Sequence, residues 1–464
     1  MRYVSTRGEA PSVSFLDAVL AGLAPDGGLY VPATWPRLSS EVAIRAGTAP
    51  YAHTAAAVLR AFAGDDLNAA EAEAIAAQAY ASGAFPPAVA PLVQTAAGAW
   101  RMELFHGPSL AFKDVAMQLI APLYAHVLAK RDARLSVVCA TSGDTGGAAV
   151  EALKNHPRID LFVLLPRGRV SPVQQRFMTA SGADNVHAIL VDGDFDDCQA
   201  IVKSLFSDAA FAADARLSGV NSINWARIVA QAVYYFVAAA ALRGPVNFAV
   251  PTGNFGDAYA GFVAKLLGAD IGRILIATNA NDILARTLAS GTYARAGASQ
   301  ATLSPAMDIQ VASNFERLVY QTIGDGAETR RLYAQFGQSG AMTLPADALE
   351  RIRADFVAAA ANDDDTRSAM RATWRDGDGD LICPHTAVAY AVAARTPMAA
   401  PLVTLATAHA AKFPEAVDAV LGVHPPLPAH CADLFDRPER VLEAENDAAA
   451  IKALIAARSR AWRS

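Results

Sequence analysis

The chain has 464 residues, too many for one ordinary hydrophobic core, so two or three domains are expected. Hydrophobic residues make up 53% and charged residues 18%, which excludes an intrinsically disordered chain. A net charge of −6 argues against a nucleic-acid or anionic-membrane surface, while leaving room for a local basic pocket.

The N-terminal stretch "MRYVSTRGEAPSVSF" lacks the apolar core of a signal peptide. "SFLDAVLAGLA" has helical spacing and stops at the turn signal "PDGG", and "EAEAIAAQAYASG" reads the same way. Residues 1–95 are therefore expected to form a mainly helical N-terminal domain. From Trp100 the texture changes: "LSVVCAT", "IDLFVLLP", "HAILVD", "VNFAVPT", "RILIATN" and "APLVTLAT" alternate with Ala-rich helical stretches. Near-continuous apolar strands separated by helices predict an α/β core over residues 96–430, with open, mostly parallel sheets covered by helices. Within it, "IVAQAVYYFVAAAAL" falls short of the ~20 residues of a membrane span and reads as a buried helix. Leu344 to Arg375 reads as a charged surface helix pair, and residues 431–464 as a helical tail. Cys139, Cys198, Cys383 and Cys431 show no CxxC and no metal spacing, which suits reduced, buried thiols in a cytoplasmic protein. No metal site is expected.

"ELFHGPSLAFKDVAMQ" places a cation where one is hard to justify. Ser109 reads as a helix N-cap with Leu110, Ala111 and Phe112 in the first turn. Lys113 then sits near the positive end of a helix among apolar neighbours, where both the helix dipole and desolvation disfavour its charge. A neutral lysine is a nucleophile and a base, with aldehydes and acidic C–H bonds as its targets. The plainer reading is a lysine whose stem lies on the surface and whose amine reaches water.

Two strand ends could hold anions. In "VVCATSGDTGGAAVEALKNH" a strand ends at Ala140 and a helix begins near Thr145. Backbone N–H groups there, with the hydroxyls of Thr141, Ser142 and Thr145, could bind a carboxylate or phosphate, unless Asp144 satisfies the helix end itself. In "VNFAVPTGNFGDAYAGFVAKLLG" the strand ends at Thr252, Gly253–Asn254–Phe255–Gly256 form the turn, and a helix follows. Two glycines in four residues allow close approach of a ligand, and the helix end favours a phosphate. The turn is neither a P-loop nor GxGxxG. A phosphate cradle, a second anion site and an apolar lysine together suit pyridoxal 5'-phosphate joined to the lysine, with an amino-acid substrate held by its carboxylate.

"FHGPSLAFKD", "ATSGDTGGAAVEAL", "RVSPVQQRFMT", "NSINWARI", "VPTGNFGDAYAG", "MDIQVASNFERL" and "LATAHAAKFPEAV" closely resemble the threonine synthase family, in its longer form with an N-terminal domain. The likeness spans nearly the whole chain. It implies a fold-type-II pyridoxal phosphate enzyme, a carbon–oxygen lyase converting O-phospho-L-homoserine and water to L-threonine and phosphate, as a monomer or homodimer. A phospho-lyase releasing a 2-oxo acid and ammonia is the nearest alternative. The resemblance makes Lys113 the catalytic lysine that holds the cofactor covalently. Gly253, Asn254, Phe255, Gly256 and Asp257 match the loop around the cofactor phosphate. Thr407 matches the hydroxyl that meets the pyridine nitrogen, although Thr404 stands three residues earlier. Thr141, Ser142, Asp144 and Thr145 match the loop for the substrate carboxylate and the cofactor's phenolic oxygen. Ser222 and Arg227 match the ligands of the substrate phosphate, with Asn221 and Asn224 as further candidates. Arg227 also reads, on its own, as a helix-surface arginine. His106, His385 and His409 lie in these motifs without an assigned chemistry, and "MDIQVASNFERL" marks the family without revealing its role.

Overall fold

The computed structural model describes residues 1–376 and 379–463. Its N-terminal part pairs Tyr3–Ser5 antiparallel with Tyr30–Pro32 and adds the helices Phe15–Ala21, Ser40–Arg45, Tyr51–Ala63 and Ala69–Tyr80. Local signals start these helices: the Ser14 hydroxyl accepts from Asp17 N–H, and Asn68 with Glu71 forms a reciprocal cap. An aromatic cluster joins this part to the rest. Trp225 donates its indole N–H to Tyr3 Oη at 3.1 Å, and Trp35 and Phe62 pack edge-on to Trp225.

Two parallel sheets follow, as the apolar runs predict. The larger has six strands in the order Phe356–Ala360, Ile271–Thr278, Val246–Pro251, Leu402–Ala406, Ala99–Glu103 and Leu92–Ala96. Only the last pair is antiparallel. The smaller runs Val441–Ala444, Val186–Val191, Ile159–Pro166, Leu135–Ala140 and Leu217–Ser218, parallel throughout. Ile159–Pro166 is buried along its whole length, as a strand covered on both faces must be.

The apolar helix is Trp225–Leu242, and 78% of its window is buried. It packs against the Lys113–Lys130 and Gly256–Leu267 helices as a core element. All four cysteines are free and buried.

Three local expectations fail in whole or in part. Leu344–Arg375 holds the two expected surface helices, Ala346–Asp355 and Asp363–Asp376, but between them lies an unexpected strand, Phe356–Ala360, which closes one edge of the larger sheet. The tail is not purely helical, because Val441–Ala444 adds an edge strand before the Ala448–Arg458 helix. Ser109 does not cap the following helix, which starts at Lys113 itself. Its N–H and hydroxyl instead donate to Asp114 at 2.9 and 2.7 Å, so Asp114 organises the turn before its own helix.

Candidate active site

Lys113 is placed by a crossing of two distant segments. Phe112 N–H donates to Thr407 C=O at 2.8 Å, Ala111 bridges Ala408, and His409 N–H donates to Leu110 C=O at 3.0 Å. Thr407 therefore lies beside the lysine, just past the end of the Leu402–Ala406 strand, and is buried. Thr404 lies within that strand, opposite Arg101 and Ala249. The backbone thus separates two threonines that the motif alone, and no local chemistry, told apart.

The Lys113 side chain is 13% exposed, so its amine does not reach out into water. Burial pushes its pKa below the ordinary lysine value, Arg227 and Lys412 push it further, and Asp144 opposes them. Lys113 Nζ is 3.3 Å from Asp144 Oδ2. On the other side of that carboxylate, Lys412 Nζ is 3.0 Å from Oδ1, and Gln174 Nε2 donates to Oδ1 at 2.9 Å. Desolvation raises the Asp144 pKa, but the flanking cations win and hold it well below the usual carboxylate range. Lys412 is fully buried, donates to Ser109 C=O at 2.7 Å and faces the Phe177 ring. Neither Lys412 nor Gln174 stood out in sequence. The only signal for Lys412 was its place in the "AHAAKF" motif.

Asp144 opens the helix Asp144–Leu153, but its side chain does not cap it, since Gly143 is the N-cap residue. Its carboxylate is turned onto the lysines. Thr141 Oγ1 accepts from Gly143 and Gly146 N–H at 2.9 and 3.0 Å, so this hydroxyl shapes the loop. Gly143 has φ 136°, and a Cβ there would lie 2.4 Å from the Gln174 side chain. Ser142 and Thr145 remain partly exposed in the same loop.

The second turn joins strand Val246–Pro251 to helix Gly256–Leu267. Phe255 is left-handed at φ 64° without being glycine, a strained conformation held by its packing against Phe315 and Phe356. A Cβ on Gly253 would sit 2.9 Å from Ala306 C=O, and one on Gly256 3.2 Å from Asn314 Nδ2. Asp257 departs from the motif's implication that it serves the phosphate. Its buried carboxylate accepts from the Tyr234 and Tyr235 hydroxyls, the latter at 2.9 Å. Burial lifts its pKa to about 6.

Arg227 is fully inside, on the Trp225–Leu242 helix, which excludes the helix-surface reading. One Nη donates to Val220 C=O at 3.2 Å, yet buried Nε has no partner, and among the described residues no carboxylate pairs with the guanidinium. Burial lowers its pKa to about 10. Ser222 lies partly exposed in the loop just before it. Asn224 is not free for a ligand: it caps the helix through Ala226 N–H and donates to Val19 and Gly219 carbonyls. His385 is buried, accepts from Ala306 N–H at 3.2 Å and titrates near about 4, which keeps it neutral. His106 pairs with Glu103 at 2.8 Å, and the His409 ring meets Phe105. Among the described residues no group could hold a metal ion.

These residues fit pyridoxal phosphate. A buried amine of lowered pKa can take the aldehyde, the Gly253–Gly256 turn at a helix start suits a phosphate, and the backbone of Thr407, a neutral hydroxyl residue, lies beside the residue before the lysine. Arg227 leaves its buried Nε without a hydrogen-bond partner among the described residues.

A family model described as "Threonine synthase N terminus" matches residues 2–80, "Pyridoxal-phosphate dependent enzyme" matches 89–406, and "Threonine synthase, C-terminal" matches 386–455. Threonine synthase of Pseudomonas aeruginosa is 46% identical over 98% of both chains. Threonine synthase-like 2 of Homo sapiens is 34% identical over 100% of this chain and 99% of its own. The crystal structure of PLP-bound threonine synthase from Brucella melitensis superposes with a TM-score of 0.95 at 50% identity, covering 99% of this chain and 100% of that one.

Proposed function

The chain belongs to the threonine synthase family, and on that premise we propose how its own residues turn O-phospho-L-homoserine and water into L-threonine and phosphate. The observation that carries the reading is the pairing of a buried, charge-averse Lys113 with a buried Arg227 that has no carboxylate partner. A dehydratase acting on an unphosphorylated amino acid has no use for the second cation.

Pyridoxal phosphate, when bound, supplies the electron sink that makes C–H bonds near the amino-acid nitrogen acidic. Lys113 holds it, and the N–H groups of Gly253, Asn254, Phe255, Gly256 and Asp257 take its phosphate. The Thr407 hydroxyl would be the partner of the pyridine nitrogen. Being neutral, it restrains the sink and favours elimination and replacement over transamination. The substrate carboxylate binds at the Thr141–Thr145 loop through backbone N–H groups and the Ser142 and Thr145 hydroxyls. Asp144 carries the wrong charge for that carboxylate. Its role is to balance Lys412 and Lys113.

Beside the substrate, Lys113 Nζ would move one proton at a time: it takes the Cα proton and gives it up, then takes the Cβ proton and delivers a proton to Cγ, which becomes the methyl group. Arg227 and Ser222 hold the phosphate while its bond to Cγ breaks. Arg227, which forms no ion pair among the described residues although the Asp257 carboxylate favours its charge, stabilises the charge that collects on the leaving oxygens. Water adds its oxygen to Cβ, and the last proton returns to Cα. We place this activity in the cytoplasm, in a monomer or homodimer, in keeping with four reduced and buried thiols.

Incubating the purified protein with O-phospho-L-homoserine and measuring phosphate, threonine and 2-oxo acid together tests the reading. Threonine and phosphate in equal amounts support it. Phosphate with an equal amount of 2-oxo acid overturns it in favour of a phospho-lyase.

A further inference from the structure

The segment "MDIQVASNFERL" has no place in the chemistry above, yet two of its side chains connect both phosphate-binding loops. Asn314 Nδ2 donates to Ser222 C=O at 3.1 Å and to Asn254 C=O at 3.2 Å. Its backbone N–H donates to the same Asn254 C=O at 3.0 Å. One amide therefore bridges the loop before Arg227 and the turn before the Gly256–Leu267 helix. The space a side chain on Gly256 would need is occupied by that amide nitrogen.

Arg317, one helical turn on, fixes the amide's orientation. One Nη donates to Asn314 Oδ1, the other to Ile223 C=O at 2.5 Å, and Nε donates to Tyr30 C=O at 3.1 Å. The guanidinium is fully buried over the Trp225 ring, and its partners are neutral oxygens. A planar fork with several fixed donors suits this task, because each of its bonds has its own direction. Arg317 thereby ties the Ser222–Asn224 loop, the Asn254 turn and the N-terminal strand Tyr30–Pro32 to one point.

We propose that Asn314, oriented by Arg317, is a positioning residue that sets the separation of the two phosphate-binding loops and so matches the site to a phosphorylated amino acid. The inference rests on the function proposed above. It also predicts an asymmetry. Removing the amide leaves the Asn254 turn its backbone tether from Asn314 N–H but takes from Ser222 C=O the bond it receives from Asn314. The substrate-phosphate side must suffer more than the cofactor side.

The test compares wild-type holoenzyme with Asn314→Ala and Asn314→Asp. The aspartate keeps the oxygen that Arg317 holds while losing the Nδ2 donor, which guards against a variant that merely fails to fold. Four quantities are read: KM for O-phospho-L-homoserine, inhibition by inorganic phosphate, the spectroscopic dissociation constant of L-threonine, and the dissociation constant of pyridoxal phosphate from cofactor-free protein. The expected result is KM and the phosphate inhibition constant raised about tenfold, with L-threonine and cofactor binding changed less than about threefold. Equal losses in all four, or no change in any, overturn the role of Asn314. A wild-type control that makes no threonine instead overturns the function on which it rests.

Discussion

The Lys412 amine lies 3.0 Å from one oxygen of Asp144, in full burial, on the side of the carboxylate away from Lys113. Lys412 is held by Asp144, the Ser109 carbonyl and the Phe177 ring, whereas Lys113 has the Phe112 ring and Asp144, the latter at the longer distance of 3.3 Å, and, among the described residues, no backbone carbonyl. A single carboxylate between two amines cannot neutralise both equally well. Lys113, buried and with the weaker hold on that carboxylate, is the amine whose charged form is disfavoured.

Lys412→Met should therefore make Lys113 easier to protonate, because it removes a like charge and leaves Asp144 to Lys113. In the native protein, recombination of pyridoxal phosphate with the cofactor-free chain should speed up with pH as the neutral fraction of Lys113 grows. In the variant the rise should move to higher pH. A stopped-flow pH profile checks the direction. An unmoved or acid-shifted profile contradicts the argument.

Lys113→Met should abolish the visible absorption of the cofactor-loaded protein and its borohydride-stable cofactor label. It should also stabilise the cofactor-free fold. The folded pKa is lowered, so below the ordinary lysine value the unfolded chain binds the extra proton and the native amine costs stability. That cost fades as pH rises toward the unfolded pKa. The gain should be largest near neutral pH and shrink in alkali, as melting curves at several pH values would register.

Arg227→Ala should raise KM for O-phospho-L-homoserine by about 10- to 100-fold, the worth of one or two desolvated charge-assisted bonds. Cofactor affinity should change only a few-fold. Arg227→Lys keeps the charge and loses the fork, so it should recover part of the binding. If cofactor affinity falls as far as substrate affinity, Arg227 is a structural residue.

Thr407→Asp should shift the product ratio. A carboxylate beside the pyridine nitrogen holds a proton there and deepens the electron sink, which favours side reactions such as transamination. Quantifying threonine against 2-oxo acid per phosphate released measures the shift. An unchanged ratio would show that the hydroxyl does not govern the partition.

Much of the fold was legible in the sequence because the information was local. Fully apolar runs such as Ile159–Pro166 can be satisfied only as covered strands, and the Trp225–Leu242 stretch, apolar almost throughout, is buried as a core helix. The missed strand Phe356–Ala360 is short and alanine-rich between two charged helices. It is a strand because Ile271–Thr278 pairs with it, and nothing within five residues could announce that. Ser109 misled for a similar reason. Its hydroxyl is as good a helix cap as any, but Asp114 reaches back and takes it.

By itself, the sequence determined which groups are available: a lysine in an apolar helix start, a glycine turn after a strand, an arginine at the head of the core helix. Each is a statement about neighbours in the chain, where backbone geometry and burial act over a few residues. Only the tertiary structure decided what those groups face. It turned Asp144 onto two lysines rather than a substrate, sent Asp257 to a pair of tyrosines, set Thr407 rather than Thr404 beside Lys113, and brought Asn314 across both loops. The physical reason is that charge and hydrogen bonding depend on separation in space and on exclusion of water, and both are fixed when distant segments pack.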